Sequence, residues 1–555
     1  MTTKQFRIGI IVLGAFLATS CANENTTQDN KNVEEFDTTG LTEFSVDDSR
    51  HPVSRTSGIY TGTAGIKFFW SAGDRLWLDK GLGSLQQDKR NDIQTQINGG
   101  TSKPTNAKFY FAGNFPASSY PVRYTGANSM QDRVTIKAQQ SQTVPNDAMH
   151  LGESGDCATA TAIRPTGSGR YQFMLDHKAS YLTFVPYTGQ GLIQNAKLMK
   201  IKVTANKPLA GDYAFGNNGF GSADPLPMSN PSDSIVLTLG GATGFPIPGS
   251  STPINKQTNA AIMVLAPGTY ATLKVDYYLY DAFTNVTGTI TKTYTGLQLI
   301  GGQNREVAMD LRVPVYHPKY TLWDAVNDLW HGYEAFQPVV NQQNNGSSYF
   351  PTGPTDPNQR WNNLTNNGMN VPVLATNNCA GCPNVNEYMW YAIKGDPRFD
   401  GECLWAALGH LHKGGVWMKR QTAIIRDTPI LSSHTKNITD GFDLGQGGGF
   451  TDYRSYDIND FTISERNLIQ SIPVGSTPPP ASTLSDYFFL PGFGTYEMAG
   501  PNKGRFWIEY GSSNFWSSSG VSSVAFGMFC NRINIMIAGN LTRGANCLCV
   551  WPGEN

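Results

Sequence analysis

The sequence predicts a mainly β protein, with two consecutive β-sandwich domains followed by a separate α+β domain. Three observations carry this. Apolar and polar residues alternate at 171–175, 199–204, 235–239 and 273–279, the period of a strand with one wet face. Charged residues make up only 15% of the chain, while glycine (58), tyrosine (24) and tryptophan (11) are plentiful, as in turn-rich β proteins. After about residue 313 the alternation gives way to helical spacing. At 555 residues the chain is also too long for one core.

Residues 1–21 read as a lipoprotein signal. Lys4 and Arg7 precede an apolar run from Ile8 to Leu17, and Ala18, Thr19 and Ser20 lead into Cys21. The run is shorter than the roughly 20 residues of a spanning helix, so it is an export signal. Cys21 is the expected lipidation site, which places the mature chain at the outer membrane, held there by lipid. No later segment reaches spanning length, so the rest is expected to be soluble. Residues 22–55 are polar and acidic and read as a tether or propeptide. Arg50 and Arg55 near its end are expected proteolytic processing sites. Phe36, Leu41, Phe44 and Val46 could supply the apolar side chains of a strand there, although they are sparse.

Residues 56–190 form the first expected sandwich, with aromatic-rich strands in GIKFFWSAGDRLWLD, AKFYFAG and YQFMLDHKASYLTFVPY. The second spans 191–312. Met199, Ile201 and Val203 alternate with Lys200, Lys202 and Thr204, followed by Ile235, Leu237 and Leu239, then Leu273, Val275, Tyr277 and Leu279. Residues 313–555 form the last domain. There Leu322, Val326 and Leu329 predict one helix, capped by Thr321, and Leu404, Leu408 and Leu411 predict another, stopped by Gly414. Ile533, Ile535 and Ile537 alternate near the end as a strand.

The order of several motifs resembles the fimbrillin-like pilins, major and minor fimbrial subunits of Gram-negative gut and oral bacteria. The motifs are the lipobox, the acidic tether, Ser54-Arg55-Thr56, WSAGDRLWL at 70–78, HLGESGD at 150–156 and APGTYATLKV at 266–275. The likeness covers roughly residues 1–312. It implies two transthyretin-like sandwiches, export as a lipoprotein, trimming by an arginine-specific protease and assembly with other pilin subunits by strand exchange. The end of the chain, YFFLPGFG at 487–494 and GRFWIEYGSSNFWSSSG at 504–520, resembles C-type-lectin-like domains. Together the two likenesses imply an adhesive tip subunit. A non-polymerising lipoprotein that binds glycans is the alternative. A third reading takes the last domain as similar to formylglycine-generating enzymes, with Cys547 and Cys549 as the reactive pair, but their spacing is short for it.

Residue chemistry points to few sites. Cys379, Cys382, Cys403, Cys530, Cys547 and Cys549 read as a disulfide framework in an oxidising envelope. A zinc reading would join the CxxC to His410 and His412, but two histidines either side of Leu411 on a helix diverge, and no metal or cofactor is expected. Two acidic clusters, Asp396, Asp400 and Glu402, and Asp452, Asp457, Asn459 and Asp460, read as solvated turns rather than calcium loops. Trp361, Trp507 and Trp516, beside Asn362, Asn363 and Asn514, are the candidate sugar-stacking residues, with a core role competing for the tryptophan of FWSSS. No HExxH, GxSxG or Walker loop is present, so the chain is not expected to be an enzyme. The 42 basic and 43 acidic residues nearly cancel, which argues against nucleic acid. The remaining expected partner is a host or bacterial glycan or protein.

Overall fold

The computed structural model describes residues 37–46, 57–427 and 471–554, except 63–64, 82, 128–129, 191–192, 194, 346, 365–370, 499–500, 509–510, 522–523 and 543–545. Cys21, Arg50, Arg55 and the acidic run Asp452, Asp457, Asn459 and Asp460 lie outside them. The chain is mainly β, as composition and alternation predict. No helix among the described residues is long and apolar enough to cross a membrane.

The first unit is built on one sheet. Its strands run in the order Leu85–Gln87, Trp77–Asp79, Ser119–Tyr124, Ala158–Ile163, Tyr171–Phe173, Leu41–Val46, Lys108–Ala112, Arg90–Asn91. The two end strands are consecutive in the chain, so the sheet curls back on itself. It closes around an aromatic core that includes Phe44, Trp70, Phe109, Phe111, Phe115 and Tyr171.

Two facing sheets make the second unit. One runs Gln139–Gln142, Ser234–Leu239, Lys197–Ala205, Gly268–Asp281, Val286–Leu299, and the other Ala261–Leu265, Ser180–Tyr187, Asn304–Asp310. Ile235, Leu237, Leu239, Leu273, Val275, Tyr277 and Leu279 are buried between them, in the predicted alternation. One register differs. A bulge between Leu198 and Lys200 turns Met199 partly outward and sends Leu198 into the core with Ile201 and Val203. The chain also crosses between units, because Tyr60, Ile66, Phe68, Val134, Ile136 and Leu151 join this second core although all precede residue 191.

Two buried glutamines extend the ladder there. Gln140 donates from Nε2 to the Val264 carbonyl (2.7 Å) and accepts from the Val264 N–H (3.0 Å). Gln142 does the same with Ala260 (2.9 Å) and Ile262 (2.8 Å). Each side-chain amide thus replaces a missing strand for Ala261–Leu265, whose backbone is fully buried and needs those partners.

In the last unit the structure corrects both predicted helices. The segment 398–419 is a hairpin of Arg398–Ala407 and His410–Lys419, turned by Leu408 (φ 52°) and Gly409 (φ 85°), the left-handed pair a tight hairpin loop requires. Leu404, Ala406 and Leu411 pack into the second core, while Trp405 and Ala407 pack into the third. With both faces buried the strand loses its alternation and reads as a helix. The segment 320–333 is a short Tyr320–Thr321 strand and then turns. Asp324, at φ 52°, leaves helical space and spends its carboxylate on the N–H groups of Thr376, Asn377 and Cys379 and the amide of Asn363. A helix that sequence reading missed spans Val385–Lys394, opened by an Asn384/Glu387 capping box.

Asp281 ties this unit to the second sandwich. Its carboxylate accepts from the Leu411 N–H (3.0 Å) and lies 3.1 Å from His410 Nδ1, while Phe283 stacks on the His410 ring. Asp281 is held below the ordinary carboxylate range: burial pushes it up, but the Leu411 and Phe283 N–H bonds and His410 outweigh that.

Candidate functional site

The strand Leu41–Val46 lies within the expected tether, yet it occupies the middle of the first sheet. It pairs antiparallel with Lys108–Ala112, Phe44 opposite Phe109, and parallel with Tyr171–Phe173, Phe44 beside Tyr171. Those two flanking strands do not pair with each other among the described residues, so at this point of the sheet the segment bridges them.

Phe44 is its anchor. The ring is fully buried, stacks on Tyr171 (4.4 Å, 7°) and meets Phe111 (5.0 Å) and Phe115 (5.4 Å) edge-on. Val46 fills the next inward position, and its N–H bonds to the Ala107 carbonyl (3.1 Å). The outward Glu43 lies 3.8 Å from Lys108 and 3.7 Å from Arg170. Burial, with the charge of Glu43 adding to it, pushes the neighbouring Tyr110 hydroxyl up to about 12. Apolar alternation over so few residues is a weak signal, which is why the sequence shows this strand only faintly.

At the other end of the chain, Asn546–Cys549 lies inside its own sheet, between Ser513–Val521 and Thr495–Glu497, and also pairs with Tyr320–Thr321. Beyond it Trp551 packs on Tyr388, Tyr391, Phe488 and Phe515. The Tyr391 hydroxyl and the Gln421 N–H both bond to the Glu554 carboxylate.

The other predicted residues are scattered. Trp516 is a core residue, 2% exposed, with its indole N–H on the Thr321 carbonyl (2.7 Å), so it cannot stack on a sugar. Trp361 and Trp507 are half-buried, Trp507 beneath the Arg505 guanidinium. The described cysteines are all free thiols rather than the expected bridges. Cys379 and Cys382 share a turn in the Trp323 and Trp516 cluster, Cys530, Cys547 and Cys549 lie in the main core, and Cys403 sits on the hairpin. Burial pushes the thiols of Cys379, Cys530, Cys547 and Cys549 well up, and that of Cys403 to about 12. His410 and His412 do not join the CxxC. His412 stacks on Trp405, and burial pushes it down to about 4. Among the described residues no group of three or more histidine, cysteine or carboxylate side chains could hold a metal. Asp400 instead caps its own turn through the N–H groups of Glu402 and Cys403 and accepts from the Trp417 indole.

No family model and no curated protein matches the chain. Several solved structures from Bacteroides are similar to it. A "putative cell adhesion protein" of Bacteroides ovatus ATCC 8483 aligns with 49% of this chain and 93% of its own, at 11% identity and a TM-score of 0.28. Another, of Bacteroides uniformis ATCC 8492, aligns with 49% and 92%, at 12% identity and 0.28. A fimbrial protein of Bacteroides ovatus ATCC 8483 aligns with 91% and 98%, at 11% identity and 0.22.

Proposed function

We propose that this chain is a structural and adhesive subunit of a bacterial surface fibre, exported as a lipoprotein through Cys21 and sited at the fibre tip. One observation carries the reading: a strand just ahead of Arg50 and Arg55 fills a slot between two strands that, among the described residues, do not pair with each other. Cleavage at either arginine would cut that strand from the rest of the chain. Its loss would bare two rows of backbone donors and acceptors and an aromatic pocket, which a strand from another subunit can fill.

The pairing of Asn546–Cys549 supports a tip position. A strand given to another subunit must be free to leave its own, whereas Asn546–Cys549 is hydrogen-bonded within its own unit and Trp551 and Glu554 are packed and bonded just after it. This supports a subunit that takes a strand in at residues 41–46 while Asn546–Cys549 stays in its own sheet. An enzymatic role for Cys547 and Cys549 has little support, since both thiols are fully buried and strongly disfavoured as thiolates.

Mass spectrometry of the mature protein in purified fibres, with immunogold labelling of residues 313–555, tests the reading. The expected result is an amino terminus at His51 or Thr56 and gold only at fibre ends. A lipidated Cys21 in assembled fibres, or gold along their length, would refute it.

A further inference from the structure

The outer face of the second sandwich gathers charge that the sequence disperses. Along Lys197–Ala205 and Gly268–Asp281 the inward residues are core, and the outward ones form cross-strand rows with those of Val286–Leu299. Thr238, Lys200, Tyr278 and Thr289 make one row. Val236, Lys202, Asp276 and Thr291 make the next, and Ser234, Thr204, Lys274 and Thr293 the third. A fourth places Lys197 beside Tyr280 and Thr287.

Four lysines therefore share this face with one carboxylate. That carboxylate, Asp276, is 5% exposed and already held by the Thr291 hydroxyl (2.5 Å) and Lys274 Nζ (3.2 Å). Lys200 Nζ sits 4.2 Å from the centre of the Tyr278 ring, which leaves the cation with a soft partner that an anion can share. Thr287, Thr289, Thr291 and Thr293 are exposed, and successive ones stand about 7 Å apart along the strand.

We propose that this face binds an acidic polysaccharide. A basic surface concentrates polyanions, and lysines arranged in rows meet carboxylate or sulfate groups on a linear chain. The threonine hydroxyls and tyrosine rings match the mixed polar and apolar surface of pyranose sugars. The rows hold no arginine, and their one aliphatic side chain, Val236, is half-buried, which favours a hydrated glycan over a duplex or a bilayer. The site is separate from the strand slot and does not depend on it.

The test is binding of the full-length chain to immobilised polygalacturonate, with neutral dextran and single-stranded DNA as competitors. The expected result is salt-sensitive capture that soluble polygalacturonate reverses and dextran does not. The double variant Lys200→Ala/Lys274→Ala should bind about tenfold more weakly, a change of roughly 1.4 kcal/mol, with thermal unfolding unchanged, and Tyr278→Ala should weaken binding without changing its salt slope. Equal binding by the double variant, equal competition by dextran, or tighter competition by DNA would each overturn the proposal.

Discussion

Replacing Phe44 by alanine in the uncut chain is expected to lower the stability of the first unit by about 3–5 kcal/mol. The ring is wholly buried among Tyr171, Phe111 and Phe115. Truncation removes both its transfer free energy and its edge and stacking contacts, and leaves a cavity that a paired sheet cannot collapse to fill. The effect should spread further than an ordinary core deletion, because this strand lies between two strands of the sheet that do not pair with each other. Phe44→Leu, which keeps most of the volume, should recover more than half of the loss. Denaturant unfolding followed by near-ultraviolet circular dichroism measures both, and a Phe44→Ala effect below about 1 kcal/mol would mean that the strand contributes little.

The second large effect is expected in the last unit, at Arg360. Its guanidinium is 3% exposed and reaches both oxygens of Asp356 (2.8 and 3.0 Å), with the Leu329 and Tyr349 carbonyls taking its other donors. Arg360→Met should cost about 3–5 kcal/mol, because it strands a buried carboxylate and two carbonyls, and adding Asp356→Asn should restore part of that. Asp356 is held below the ordinary carboxylate range, first by hydrogen bonds from Arg360. A depressed folded pKa gives stability that is present above the unfolded value near 4 and is lost as the pH falls through the folded one. Wild-type protein should therefore lose stability on acidification below about pH 4 more steeply than the Arg360→Met variant, which lacks the interaction. Parallel slopes would contradict the assignment.

Which parts of this fold the sequence disclosed follows from how each strand is buried. Ile235, Leu237 and Leu239, or Leu273 to Leu279, stand on a sheet with one wet face, so hydropathy alternates and the strands are plain. The hairpin at 398–419 lies between two cores, and Leu404, Trp405, Ala406 and Ala407 are all buried. Its continuous apolar run carries no period and was open to a helical reading. The left-handed Leu408-Gly409 turn is a better guide there than the leucine spacing. The helix at Val385–Lys394 did carry a signal, since Asn384 and Glu387 have the spacing of a capping box. The candidate slot was the least legible feature. Only Phe44 and Val46 of its six-residue strand are buried, and its neighbours at 108–112 and 171–173 are distant in sequence. The basic face was hidden for a related reason: its lysines alternate with core residues on separate strands and form a patch only once the register is set.

The central claim, that Leu41–Val46 is a replaceable occupant of a slot, is tested most directly by strand exchange on cut protein. The chain is cleaved by an arginine-specific protease and incubated with a fluorescent peptide of residues 37–46, and the protein-bound label is measured after gel filtration. The account predicts one peptide per cut chain, none on uncut chain, and at least tenfold less capture for a peptide carrying Phe44→Ala. Equal labelling of cut and uncut chains, or no labelling of cut chain after its own segment has been stripped in mild denaturant, would contradict it.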